Sequence, residues 1–106
     1  MESIDPVALA ALRADGGAAS APIIDVREVD EVDVVRVVDT VNIPMSAFLD
    51  RIDEVPRDER IYVMCHVGGR SAQVTMYLEQ RGYDVVNVAG GIQGWENAGL
   101  PVEHGR

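Results

Sequence analysis

The sequence predicts an α/β architecture: one domain with a mainly parallel central sheet and helices on both faces. Three observations predict it. Short runs rich in β-branched residues recur along the chain, helix-like segments alternate with them, and glycine or proline marks most of the junctions. The 106 residues suffice for one hydrophobic core and not for two, so the whole chain, 1–106, is read as one domain with its core at about 5–103.

In order, Asp5-Pro6 before Val7 to Leu12 predicts a helix with an aspartate N-cap and proline in its first turn, stopped by Asp15-Gly16-Gly17. Pro22 to Val26 predicts a short buried strand. Glu28 to Asp33 suits a short acidic helix, and the valines that follow predict a strand near 37–41. Asn42-Ile43-Pro44 marks a turn into a helix over about 46–53 capped by Ser46. Pro56 to Arg60 is a polar loop before a strand, Ile61 to Met64, that ends at Cys65. A helix from Ser71 to Arg81 carries Val74, Tyr77 and Leu78 on one face and stops at Gly82. Asp84 to Val88 is a further strand, and Gly90-Gly91 leads into a short helix with Ile92 and Trp95, closed by Gly99 and Pro101.

A net charge of −9 argues against nucleic-acid backbones and anionic lipid as partners, because an acidic surface repels both. All nine basic residues are arginine. No apolar run is long enough to span a membrane, and the acidic start of the chain does not resemble a signal peptide. One cysteine forms no internal disulfide, which fits a reducing cytoplasm. One cysteine and two histidines make no structural zinc site, and no cofactor is expected.

The most informative stretch is Cys65-His66-Val67-Gly68-Gly69-Arg70-Ser71, a glycine-rich strand-to-helix turn. Its glycines let the backbone curl so that several amides face one point, and a helix start adds a positive dipole end. A thiol at the centre of such a cup is favoured as thiolate, the form that acts as nucleophile. The competing reading is a buried cysteine chosen for packing. A packing cysteine, however, requires neither the two glycines nor the arginine and serine after them.

Four stretches, in order, resemble the rhodanese homology domain: Ile24 to Glu28, Asn42-Ile43-Pro44, Cys65 to Ser71, and Gly90 to Trp95 continuing through Ala98 to Val102. The resemblance spans roughly residues 5 to 103. Two departures stand out. The family's glycine-histidine-isoleucine-proline-glycine-alanine run is replaced by Val35 to Thr40, and the second loop position, often arginine in the family, is His66. Four residues separate Cys65 from Arg70, whereas cysteine-dependent phosphatases of similar fold carry five, in a wider cup for phosphate.

The resemblance therefore implies sulfurtransferase chemistry. Cys65 attacks the outer sulfur of thiosulfate or another sulfane donor, the loop His66 to Ser71 holds the resulting persulfide, and a thiol or other thiophilic acceptor removes the sulfur. The implied partners are a small anionic sulfur donor and a thiol acceptor. A different class of function, a relay module loaded by a partner protein's persulfide, needs the same cup. Phosphatase or arsenate-reductase activity is disfavoured by the loop length, and a purely structural role by the retained cysteine.

Each residue also has a plainer role. Arg70 could hold the loop through a fork to a carboxylate such as Asp25 or could meet the donor, and Ser71 could cap the helix or bond the sulfur. Asp25 and Arg27 read as a supporting ion pair at the sheet's end, His66 as a solvated loop residue, Trp95 as packing and His104 as inert near a frayed terminus.

Overall fold

Five parallel strands form the centre of the computed structural model, which describes residues 1–105. They are β1 (Ser3–Ile4), β2 (Ile23–Asp25), β4 (Val41–Asn42), β5 (Ile61–Met64) and β6 (Val85–Val88), in the spatial order β1-β6-β5-β2-β4. A separate antiparallel ribbon pairs β3 (Val35–Arg36) with β7 (Glu103–His104). The helices are α1 (Pro6–Gly16), α2 (Val29–Val34), α3 (Gly69–Glu79) and α4 (Gly91–Asn97). None of the described helices is long and apolar enough to cross a membrane.

The two-residue period of the strands divides the core. Ile24, Ile61, Val63 and Val85 pack with Val74 and Leu78 of α3, while Ile23, Tyr62, Met64, Val86 and Val88 pack with Leu9 of α1 and with Ile92 and Trp95 of α4. Both faces of the sheet are thus covered, as parallel strands require. The Asp5 carboxylate caps α1 by accepting the Ala8 amide at 2.9 Å.

The topology also creates a crevice. From β2 the chain turns toward β4, and from β5 it turns the opposite way toward β6. The loops leaving these two adjacent strands therefore diverge at their carboxyl ends, the place where open α/β sheets bind ligands.

Four local expectations are corrected. The strand expected near 37–41 is two pieces, β3 and β4, separated by a turn in which Asp39 has φ +60°. Side chains hold the turn's carbonyls instead of a neighbouring strand. The Thr40 hydroxyl donates to Val37 O, and Arg13 donates to Val38 O and Asp39 O. The helix expected over 46–53 is a pair of 3₁₀ segments, Met45–Ala47 and Leu49–Glu54, the latter broken at Arg51 (φ −116°, ψ 17°). Ser46 caps neither; its hydroxyl donates to Glu28 at 2.5 Å. The third helix starts at Gly69, not Ser71, because Gly68 takes the left-handed conformation (φ +111°) at its N-cap. His104 is not frayed but pairs with Val35 in the ribbon.

Candidate active site

Cys65 follows the last residue of β5, at the crevice between β5 and β2, and is 1% exposed. Two backbone contacts from α4 hold the start of the loop: Ile92 N donates to Cys65 O at 2.9 Å and Gln93 N to His66 O at 3.0 Å. With those carbonyls turned toward α4, the chain folds back over the sulfur. The Gly68 amide donates to Cys65 Sγ at 3.0 Å, and the amides of Arg70 and Ser71 turn toward the same atom and favour its charged form. The Ser71 hydroxyl, fully buried, reaches both this sulfur and Gly68 O, the latter at 3.2 Å.

Burial pushes the Cys65 thiol upward, but the Ser71 hydroxyl and the three loop amides outweigh it, so the net shift is downward from the ordinary value. Hydrogen bonds to the charged form therefore do the stabilising. Ser71 takes part as the third residue of α3, so it is not the helix cap of the sequence expectation.

The other charges near the crevice are paired. Asp25 and Arg27 are both buried, with the guanidinium on both carboxylate oxygens at 2.8–3.1 Å. Arg27 also donates to Glu31 O and Val35 O, and so ties the end of β2 to α2 and β3. Arg70 does form a carboxylate fork, but its partner is Glu31, with Nη1–Oε1 at 2.6 Å and Nη2–Oε2 at 2.8 Å, and not Asp25. The reason is positional, since Arg27 already occupies Asp25. The Arg70 hydrogen bonds are the chief cause that holds the Glu31 carboxyl at about 2, and the same contact raises the guanidinium.

At the mouth, Val67 is 61% exposed, and His66 Nε2 lies 3.4 Å from Gln93 Oε1. Trp95 is buried and donates to Pro101 O at 2.9 Å, a packing role. Among the described residues no group of three or more His, Cys, Asp and Glu side chains is arranged to hold a metal ion.

Sequence reasoning assigned no role to Glu31, Gly91 or Gln93. A signal existed for two of them. Glu31 stands three residues after Glu28, a spacing that forms the capping box seen at α2, and Gly91 belongs to the Gly90-Gly91 pair.

A model of the rhodanese-like domain matches residues 5–98. This chain belongs to the rhodanese-like domain family. A sulfurtransferase from Allochromatium vinosum is 36% identical over 81 residues, covering 76% of each chain. The thiosulfate sulfurtransferase GlpE of Actinobacillus pleuropneumoniae is 43% identical over 53 residues, 49% of each chain. The crystal structure of a rhodanese-related protein from Thermoplasma volcanium superposes with a TM-score of 0.86 at 32% identity, covering 97% of this chain and 98% of that one. The rhodanese-like fold and the sulfurtransferase family anticipated from the sequence are thus established, and the departure over Val35 to Thr40 leaves the fold intact.

Proposed function

We propose that this rhodanese-like domain transfers sulfane sulfur through a persulfide on Cys65, drawing on thiosulfate or a persulfide donor and passing the sulfur to a thiophilic acceptor. The observation that carries the reading is the convergence of the Gly68, Arg70 and Ser71 amides and the Ser71 hydroxyl on a single sulfur atom. Donors so placed stabilise the attacking thiolate and, after transfer, the terminal sulfur of the persulfide. The Cys65 thiolate attacks the outer sulfur of the donor. A new S–S bond forms as the donor's sulfur bond breaks, and the electron pair leaves as sulfite from thiosulfate or as thiolate from a persulfide.

GlpE, a thiosulfate sulfurtransferase by name, supports thiosulfate as a donor. The loop speaks for a sulfur guest over a phosphate, because only four residues lie between Cys65 and Arg70 and Arg70 is turned onto Glu31. The test is mass spectrometry after incubation with thiosulfate, an organic thiosulfonate or an organic persulfide. The wild type is expected to gain one sulfur atom, to lose it on addition of cyanide, and Cys65→Ala to gain nothing. A wild type that stays unmodified with all three donors refutes the reading.

A further inference from the structure

Among the described residues, the guanidiniums beside the cup are each paired with a carboxylate, and this bears on which donor suits it. Of the two guanidiniums beside the crevice, Arg27 is spent on Asp25, and Arg70 has both terminal nitrogens on the two oxygens of Glu31. The second loop position supplies histidine instead of a permanent cation. Carboxylates outnumber cations on the adjoining helix: α2 and its cap carry Glu28, Asp30, Glu31 and Asp33 and no basic residue. The tip of the loop is apolar, with Val67 61% exposed.

Neutral amides can hold the single charge of a thiolate or persulfide. A thiosulfate ion brings two negative charges toward a third, that of the thiolate, in surroundings where the local cations are already balanced. A donor with one negative charge on its transferable sulfur and an uncharged, apolar leaving portion meets less repulsion and can rest against Val67.

We infer that this site selects singly charged organic sulfane donors, persulfides or thiosulfonates with an uncharged organic group, over the thiosulfate dianion, and that Glu31 sets this selectivity by neutralising Arg70. The inference rests on the sulfur-transfer reading above. Its step is balanced: Cys65–S⁻ and R–S–S⁻ give Cys65–S–S⁻ and R–S⁻, with no external oxidant or reductant. For a thiosulfonate the leaving group is the sulfinate.

The experiment compares second-order rates of Cys65 persulfide formation from thiosulfate and from methanethiosulfonate. Each rate is divided by that donor's rate with a free small thiol, which removes intrinsic reactivity. In the wild type the normalised rate for thiosulfate is expected to fall below that for methanethiosulfonate. Glu31→Gln, which leaves the Arg70 charge unbalanced, is expected to raise the thiosulfate-to-methanethiosulfonate ratio about five- to tenfold, the effect of one unpaired but solvent-screened charge several ångströms away. His66→Arg adds a cation at an exposed loop position without touching the fork. It is expected to move the ratio in the same direction, and it serves alone if Glu31→Gln fails to fold.

Equal or faster normalised loading by thiosulfate in the wild type overturns the inference. So does a ratio unmoved in every variant that folds. Absence of loading by either of these donors and by an organic persulfide instead removes the sulfur-transfer reading itself, so the two failures are distinct.

Discussion

Alanine at position 91 tests how the active loop is held. Gly91 has φ +58°, and a Cβ built there would lie 2.4 Å from Cys65 O, 2.5 Å from His66 O and 2.6 Å from His66 C. Ordinary carbon contacts are roughly 3.5 Å, so the overlap is about 1 Å and falls on backbone, which cannot swing aside. Relief requires α4 to back away from the loop, which lengthens the Ile92–Cys65 and Gln93–His66 hydrogen bonds. Those two bonds are worth about 1 kcal/mol each. The left-handed backbone adds roughly 1–2 kcal/mol for a residue with a side chain.

Gly91→Ala is therefore expected to cost about 2–4 kcal/mol in urea unfolding. It should also move the pH midpoint of Cys65 alkylation upward, because the displaced carbonyls belong to the first two residues of the cup. Gly68→Ala is the control. Its φ is +111°, but the nearest atom to a built Cβ is Gly90 N at 3.5 Å, so only the backbone cost of about 1–2 kcal/mol applies. If Gly91→Ala unfolds within about 0.5 kcal/mol of the wild type and alkylates at the same pH, the clamp assigned to α4 is wrong.

Four further outcomes are expected. Iodoacetamide should alkylate Cys65 with a midpoint below the ordinary thiol value of 9.0, and Ser71→Ala should raise that midpoint by removing the hydroxyl donor; an unchanged midpoint denies the hydroxyl its role. Arg27→Ala leaves the Asp25 carboxylate buried and unpaired, and should cost about 3–5 kcal/mol by denaturant titration, whereas a loss below about 1 kcal/mol contradicts the pairing. The Glu31 carboxyl is held at about 2, below its ordinary 4.5, so its contribution is complete above pH 4.5 and lost as pH falls through 2; the stability gap between wild type and Glu31→Gln should close over that window. Asp39→Gly should stabilise by about 0.5–1 kcal/mol in thermal unfolding, because Asp39 sits at φ +60° where glycine is free of strain; a fall in Tm would count against this.

The parts legible in the sequence are those fixed by local chemistry. The Asp5 cap, the short apolar, β-branched runs that become Ile23–Asp25, Ile61–Met64 and Val85–Val88, and the cysteine turn all carry their signal within a few residues. What escaped depends on distant partners. β1 and β7 are two residues each and exist through pairing with β6 and β3, so they leave no periodicity to read. The segment after Pro44 has the composition of a helix, yet the break at Arg51 and the bond from Ser46 to Glu28 keep it in short 3₁₀ turns. At the candidate site, a fork from Arg70 to a carboxylate was foreseeable in kind. Choosing Glu31 over Asp25 required knowing that Arg27 lies two residues from Asp25 and folds back onto it.

The bond between α4 and the first two loop carbonyls has a practical corollary for engineering. Residues 65–71 and the diglycine some twenty positions later behave as one mechanical part, since Gly91 packs against Cys65 and His66 and the next two amides hold them. Grafting the cysteine segment alone onto another scaffold would carry its letters but lose the brace that shapes it. A successful transplant must bring Gly90 to Gln93 along, at the same spacing from the sheet.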